Sequence, residues 1–204
     1  MTGASSIETD GSDQSDQSER YHHGDLRRAL MDAAVASVAE GGPGAVSLRA
    51  LAAEVGVSHA APVHHFGDKA GLFTAVAAEG FELLADELTA VWEETGDFLA
   101  TGVRYVHFAL HHRGYFEVMF RPDLVNGDDP GLLAAQLRAF ARLHDGVAAG
   151  RLAKDPESVR LAGLASWSTA HGLATLLLSG NLPDVDREDS DALARHVLAH
   201  LRVV

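Results

Sequence analysis

The sequence predicts an all-α protein of about nine helices. Every periodic apolar stretch repeats at the helical spacing i, i+3, i+4, i+7, and none alternates strictly enough for a strand. No unit of roughly 20–50 residues recurs, which excludes a repeat array.

A chain of 204 residues, 47% of them apolar, suffices for one or two compact domains with a packed core. No apolar run approaches the roughly 18 residues of a membrane span, "GLATLLLSG" coming nearest. The N-terminus lacks the basic start and apolar block of a signal peptide, so a cytoplasmic protein without a membrane partner is expected. The absence of cysteine excludes disulfides and thiolate metal sites. The net charge of −13 is unevenly placed. Residues 1–19 hold Glu8, Asp10, Asp13, Asp16 and Glu19 with no basic residue, and Ile7 is their only large aliphatic side chain beyond Met1. Such a segment buries too little surface to offset its ordering entropy, so residues 1–20 are expected to be a disordered acidic tail. From Arg20 to Lys69, five basic residues balance five acids, and the whole-chain charge therefore does not decide against a nucleic-acid partner.

Taken in order, Leu26, Leu30, Ala33, Ala34 and Val38 stripe a first helix ended by "EGGPG". Ser47 suits the N-cap of a second helix striped by Leu48, Leu51, Ala52 and Val55, and Gly56 stops it. Ser58 is expected to cap a very short third helix and Asp68 a fourth. The fourth is long, striped by Phe73, Val76, Ala77, Leu84, Leu88 and Val91 to about Glu94. Beyond it, "FLATGVRYVHFALHHRGYFEVMF" reads as two helices broken near Arg113–Gly114. "PGLLAAQLRAFARLHDGVAAGRL" supplies a third, Pro156 opens a fourth, and Asp189–Val204 forms the last.

The segment "GVSHAAPVHHFGDK" carries three histidines and a proline that a core would not ask for. Two short helices joined by a Gly turn across residues 47–66 are the helix-turn-helix plan, whose second helix enters the DNA major groove. Imidazoles suit that surface, since they hydrogen-bond to bases and phosphates without a fixed charge. Pro62 falls early enough after Ser58 to remove only the first helical bond.

The stretch from Tyr21 to Phe81, with its Ser-capped second helix, "GVS" and "HHFGDK", resembles the DNA-binding domain of the tetracycline-repressor (TetR) family of bacterial transcriptional regulators. The resemblance implies a DNA-binding domain over residues 21–84 with double-stranded DNA, in the form of a palindromic operator, as partner. It assigns DNA contacts to Ser47 and Arg49, places Ser58, His59 and Ala60 at the groove-facing start of the recognition helix, and adds His64, His65 and Lys69. Val63 stands where the family carries a phosphate-binding Tyr, with His64 as the candidate replacement. Arg20 with Tyr21, His22 and His23 forms a candidate minor-groove arm, an ordinary frayed terminus being the alternative.

"WSTAHG" at 167–172, preceded by "YVHFALHHRGYFEVMF", resembles the Trp-His-Gly class of C-terminal domains in the same family. This implies a ligand-sensing and dimerisation domain over residues 95–204, a homodimer joined by helices at about 157–180 and 189–203, and a small-molecule effector with no cofactor. Gly163, Ala170 and Ala174 would allow close approach between subunits, and Leu176, Leu177, Leu193 and Val197 would supply apolar area. Candidate lining residues for a mainly apolar ligand are Tyr105, Phe108, His112, Phe116, Met119, Phe120, Phe140, His144, Trp167 and His171, with Gly114 and Ala170 bordering the same space. His171 also suits a satisfied core position that holds Trp167.

Two other function classes compete. His107 and His111, at i, i+4, together with His112 could make a metal-responsive regulator, although no Cys or paired carboxylate completes a shell, and no metal ligand is assigned. An enzyme is disfavoured because no Gly-x-Ser-x-Gly, His-Glu-x-x-His or Gly-x-x-x-x-Gly-Lys-[Ser/Thr] motif occurs.

Overall fold

Helices α1 (Ser12–Gly41), α2 (Leu48–Val55), α3 (Ala61–Phe66) and α4 (Lys69–Thr95) follow one another through short turns, with a 3-10 turn at Pro43–Ala45. They are followed by α5 (Phe98–His111), α6 (Arg113–Met119), α7 (Pro130–Ala149), α8 (Pro156–Ser179) and α9 (Ser190–Ala199). The computed structural model describes residues 12–149, 155–182, 185 and 189–200, with the backbone alone at 12–24, 143–145 and 147–149. Among these residues there is no strand.

Helix α1 starts earlier than expected. Residues 12–20, assigned above to a disordered tail, have helical backbone. Gln14, Gln17, Glu19 and Arg20 are good helix formers, and Asp13 stands in the first turn, where the positive end of the helix favours a carboxylate. Arg20 to His23, the candidate arm, continue the same helix; their side chains lie outside the described residues, as do residues 1–11.

Ser47 holds the N-cap position of α2 in extended backbone, but its side chain makes no capping bond. Gly56 ends α2 at φ 76°, a left-handed conformation that costs glycine little, and Val57 N–H closes the turn on the Ala52 carbonyl at 2.8 Å. Helix α3 begins later than Ser58 implied. Ala60 is the cap residue, Ser58 contributes only its carbonyl to the Ala61 N–H at 3.0 Å, and Ser58, His59 and Ala60 lie in the turn ahead of the helix. The cause is Pro62, which is buried and falls within the first turn, where a missing N–H leaves no bond broken. Asp68 caps α4 as expected, accepting from the Gly71 N–H at 2.8 Å.

At 27 residues, α4 is about 40 Å long. Its buried side chains, among them Leu72, Phe73, Val76, Phe81, Leu84 and Leu88, belong to one core cluster that runs from Leu30 of α1 to Leu198 of α9. Helix α8 is long and apolar enough to cross a membrane by length and composition, contrary to the reading of its apolar run. In the fold, its Val159, Ala162, Gly163, Ala170, Leu173, Ala174 and Leu177 are buried, and α8 packs on α5, α7 and α9. Gly163, Ala170, Ala174 and Leu177 thus pack within the subunit, a correction to their assignment between subunits: their spacing places them on the inward face. The outward face carries Leu161, Leu164 and Leu176, exposed at 49%, 46% and 42%.

Gly114 corrects a further expectation, for it packs against α1. A Cβ there would stand 2.2 Å from the Val35 carbonyl oxygen and 2.8 Å from Val35 Cγ1, so α6 rests almost directly on the backbone of α1. Gly114→Ala is therefore expected to destabilise the protein by roughly 1–3 kcal/mol, the usual cost of overpacking. Urea unfolding measures it, and an unchanged midpoint would contradict the close contact.

Candidate functional site

The helix-turn-helix presents one polar face. Ser47, Arg49, Ser58, His59, Ala60 and His64 are exposed, and His65 is half-buried against the rings of His64 and Phe66, with centroids at 5.6 and 6.2 Å. Phe66 faces inward beneath Arg27, whose guanidinium carbon lies 5.2 Å from the ring centroid. Lys69 stands over Phe73 at 5.3 Å, which holds its stem while leaving the ammonium at the start of α4. Val63 is 52% exposed, an apolar side chain on an otherwise polar surface.

A second arrangement joins this unit to the rest of the chain. Arg28 of α1 reaches Glu79 of α4 and Asp32 of its own helix, and donates to Tyr115 Oη of α6 at 3.2 Å. Tyr115 in turn donates to Glu79 Oε1 at 2.7 Å. Burial pushes the Tyr115 hydroxyl above the usual tyrosine range, so it remains a donor.

The aromatic residues of the C-terminal half surround two spaces. The more enclosed is a cavity of about 380 Å³ between α4, α5, α7, α8 and α9. Its wall includes Leu84, Leu88, Phe98, Tyr105, Phe140, Ser166, Trp167, Ala170 and Leu198. The other, about 520 Å³, is a more open groove lined by Met119, Phe120, Gln136, Phe140, Trp167 and His171. Trp167 and Phe140, with centroids 5.3 Å apart, border both.

Of the residues expected to line one pocket, Tyr105, Phe140 and Trp167 reach the cavity, while Met119, Phe120 and His171 reach only the groove. Phe108, Phe116 and His112 line neither, which corrects that expectation. Phe108 is fully buried and Phe116 is buried between Tyr105 and Phe120, so both serve the core. His112 stacks on Phe108 and turns its Nε2 to Glu87 Oε1 at 3.0 Å. The side chain of His144 lies outside the described residues. Ser166, Phe98 and Leu198 were missed; Ser166 directly precedes the "WSTAHG" signature, but its inward orientation depends on the packing of α8.

Comparison with known proteins gives these sites a context. Residues 98–201, more than half of the chain, match the model of the tetracyclin repressor-like C-terminal domain, and residues 30–76 match that of the bacterial regulatory proteins of the tetR family. The chain belongs to the tetR family. Its structure resembles that of a protein of unknown function from Rhodococcus sp. RHA1, which is 33% identical with a TM-score of 0.72 over 87% of this chain and 95% of that one. A tetR-family regulatory protein, also from Rhodococcus RHA1, is 20% identical with a TM-score of 0.67 over 87% and 95% of the two chains. The protein RolR, solved with resorcinol, is 20% identical with a TM-score of 0.56 over 89% and 96%. No curated protein matches. This tetR-family chain is a DNA-binding transcriptional regulator, and the family, which dimerises and binds small effectors, is not one of enzymes.

The three histidines weighed as metal ligands do not converge on one point. His107 and His111 stack face to face at 3.8 Å, His107 Nδ1 lies 3.3 Å from Asp191, and His112 turns to Glu87. Among the described residues no group of three or more metal-ligating side chains converges.

A polar cluster instead divides the cavity from the groove. The Trp167 Nε1–H donates to Tyr105 Oη at 3.2 Å, and Tyr105 Oη lies 2.8 Å from His171 Nδ1. With the phenolic oxygen taking the indole proton, its own proton is directed at Nδ1, which makes His171 the neutral tautomer protonated on Nε2. Burial agrees with this, raising the Tyr105 hydroxyl and lowering the His171 imidazole from their ordinary values. Because the folded protein resists protonating His171, the unfolded chain takes up that proton first as pH falls through about 6.5, and stability is lost below that value. Tyr105→Phe removes the shared oxygen and strands two partners, at an expected cost of roughly 1–3 kcal/mol. Thermal melts of both proteins at pH 7.5 and 5.5 check this; equal melting temperatures at pH 7.5 would show that the cluster contributes nothing.

Proposed function

We propose that this tetR-family regulator is a cytoplasmic homodimeric repressor, released from a palindromic operator by a small, mainly apolar ligand bound in the cavity behind Trp167. The observation that carries the reading is a partly open cavity, lined by Phe98, Tyr105, Phe140 and Trp167, whose wall includes Leu84 and Leu88 of α4, the helix whose first residue is Lys69 beside the helix-turn-helix. Two recognition helices must sit about one DNA turn apart to enter successive major grooves. A ligand that tilts α4 changes that separation, and shifts the equilibrium only by its differential affinity for the two arrangements. RolR, with its bound resorcinol, is an instance of a similar fold holding a small aromatic compound.

In this reading Ser58, His59 and Ala60, in the turn before α3, approach bases, while Ser47, Arg49, His64, His65 and Lys69 approach the backbone. His59→Ala is expected to relax preference at one base position per half-site, at roughly 1–3 kcal/mol. Lys69→Ala and Arg49→Ala should instead weaken binding to all sequences and flatten its salt dependence. A binding-site selection followed by titration at several salt concentrations tests both, and no enrichment of any palindrome would refute the operator reading.

The dimer is assigned to the outward face of α8 together with α9. Leu161, Leu164 and Leu176 are exposed on α8, and Gly172 on the same flank leaves open space where a Cβ would stand. Exposed leucines repeated along one helix face are what a four-helix bundle between two copies covers. Leu164→Glu with Leu176→Glu should give a folded monomer that no longer binds the operator. Light scattering and circular dichroism report the two properties, and a dimer that survives both changes would place the interface elsewhere.

A further inference from the structure

The geometry points to Val63 as a base-reading residue, whose isopropyl group packs on the C5 methyl of a thymine in each operator half-site. This rests on the operator reading given above. Val63 is 52% exposed, and among the described residues every other exposed large apolar side chain lies on α7 or α8. The folded subunit gains little from it. A β-branched side chain is a poorer helix former than alanine, and about half of this one stays in water.

The packing of α3 fixes which way Val63 faces. Pro62 is buried, and Phe66, four residues on, turns inward beneath Arg27. Ala61 and His65, also four apart, are half-buried beside them. The helical register runs back to Ala60, whose backbone is helical and whose carbonyl accepts from the His64 N–H at 2.9 Å. At about 100° per residue, the face opposite those four positions holds Ala60, with Val63 on one flank and His64 on the other. All three are exposed. Ala60 and Val63, three apart, therefore join their methyl groups into one apolar strip beside polar Ser58, His59 and His64.

A helix-turn-helix turns the start of its second helix toward the base edges of the major groove. The thymine methyl is the apolar group displayed there, and small aliphatic side chains are its partners. The other bases would set amino groups, carbonyl oxygens or ring nitrogens against the strip and leave them without bonds. Having no polar side-chain atom, Val63 cannot take the phosphate role that the family resemblance gives its position.

The test starts from a duplex enriched out of random-sequence DNA by the full chain. Its half-site thymines, on either strand, are then replaced by deoxyuridine one position at a time, which removes the methyl and keeps the base pair. One position per half-site is expected to weaken binding roughly fourfold, the worth of one buried methyl group. Against Val63→Ala the same replacement should cost less than about twofold, because the methyl has lost its partner. Val63→Thr keeps the shape and one methyl, and its sensitivity should fall between the two; circular dichroism checks that both variants are folded. A selected half-site without thymine, or deoxyuridine tolerated at every position, would overturn the inference and leave the operator reading standing. Full methyl sensitivity in Val63→Ala would assign the contact to another side chain, with the same consequence. If no sequence is enriched at all, the operator reading and the inference fall together.

Discussion

Helix α6 meets α1 and α4 at nearly backbone distance, and the relation between the two ends of the molecule depends on that seam. Gly114 leaves no room between α6 and the Val35 carbonyl, and a Cβ on Gly80 of α4 would lie 2.7 Å from Met119 Sδ. Arg28, Glu79 and Tyr115 tie the same three helices by hydrogen bonds at their edge. A seam with no slack does not deform gradually; displacement of α6 has to be shared by α1 and α4. Since α3 packs on both of those helices, the turn that precedes it is held to the same seam.

Much of the architecture was legible because it is local. The left-handed stop at Gly56, the Asp68 cap and the apolar stripe of α4 are each set by residues within one or two turns. The start of α3 was misjudged because Ser58 looks like a cap by type, whereas Pro62 fixes where the helix can begin. The opening turns of α1 were missed because their apolar content is low, although their helix-forming residues suffice for the backbone.

The cavity was less legible, because which aromatics face it is decided by partners distant in sequence. Phe108 and Phe116 have the same composition signal as Phe140 and Trp167, yet the first pair fills the core between α5 and α6. His112 reads as a lining residue until Glu87, 25 positions away, is seen to hold it. Ser166 carries no signal of its own in sequence. Its Oγ is buried without a hydrogen-bond partner among the described residues, which only coordinates reveal.

Trp167 donates to Tyr105 and Tyr105 engages His171 Nδ1, so on the cavity side the partition is already paired, while the Nε2–H of His171 is left to the groove side. The hydroxyl at Ser166 stands outside that mutual arrangement, and so do the aliphatic positions at Leu84, Leu88 and Leu198. The side chains that face the cavity are therefore separate from those of the seam. Substitutions at Leu84, Leu88 or Leu198 would reshape the cavity one position at a time and leave the seam of α1, α4 and α6 untouched. Such modularity is a property of this packing, in which the cavity wall and the seam share α4 but no side chain.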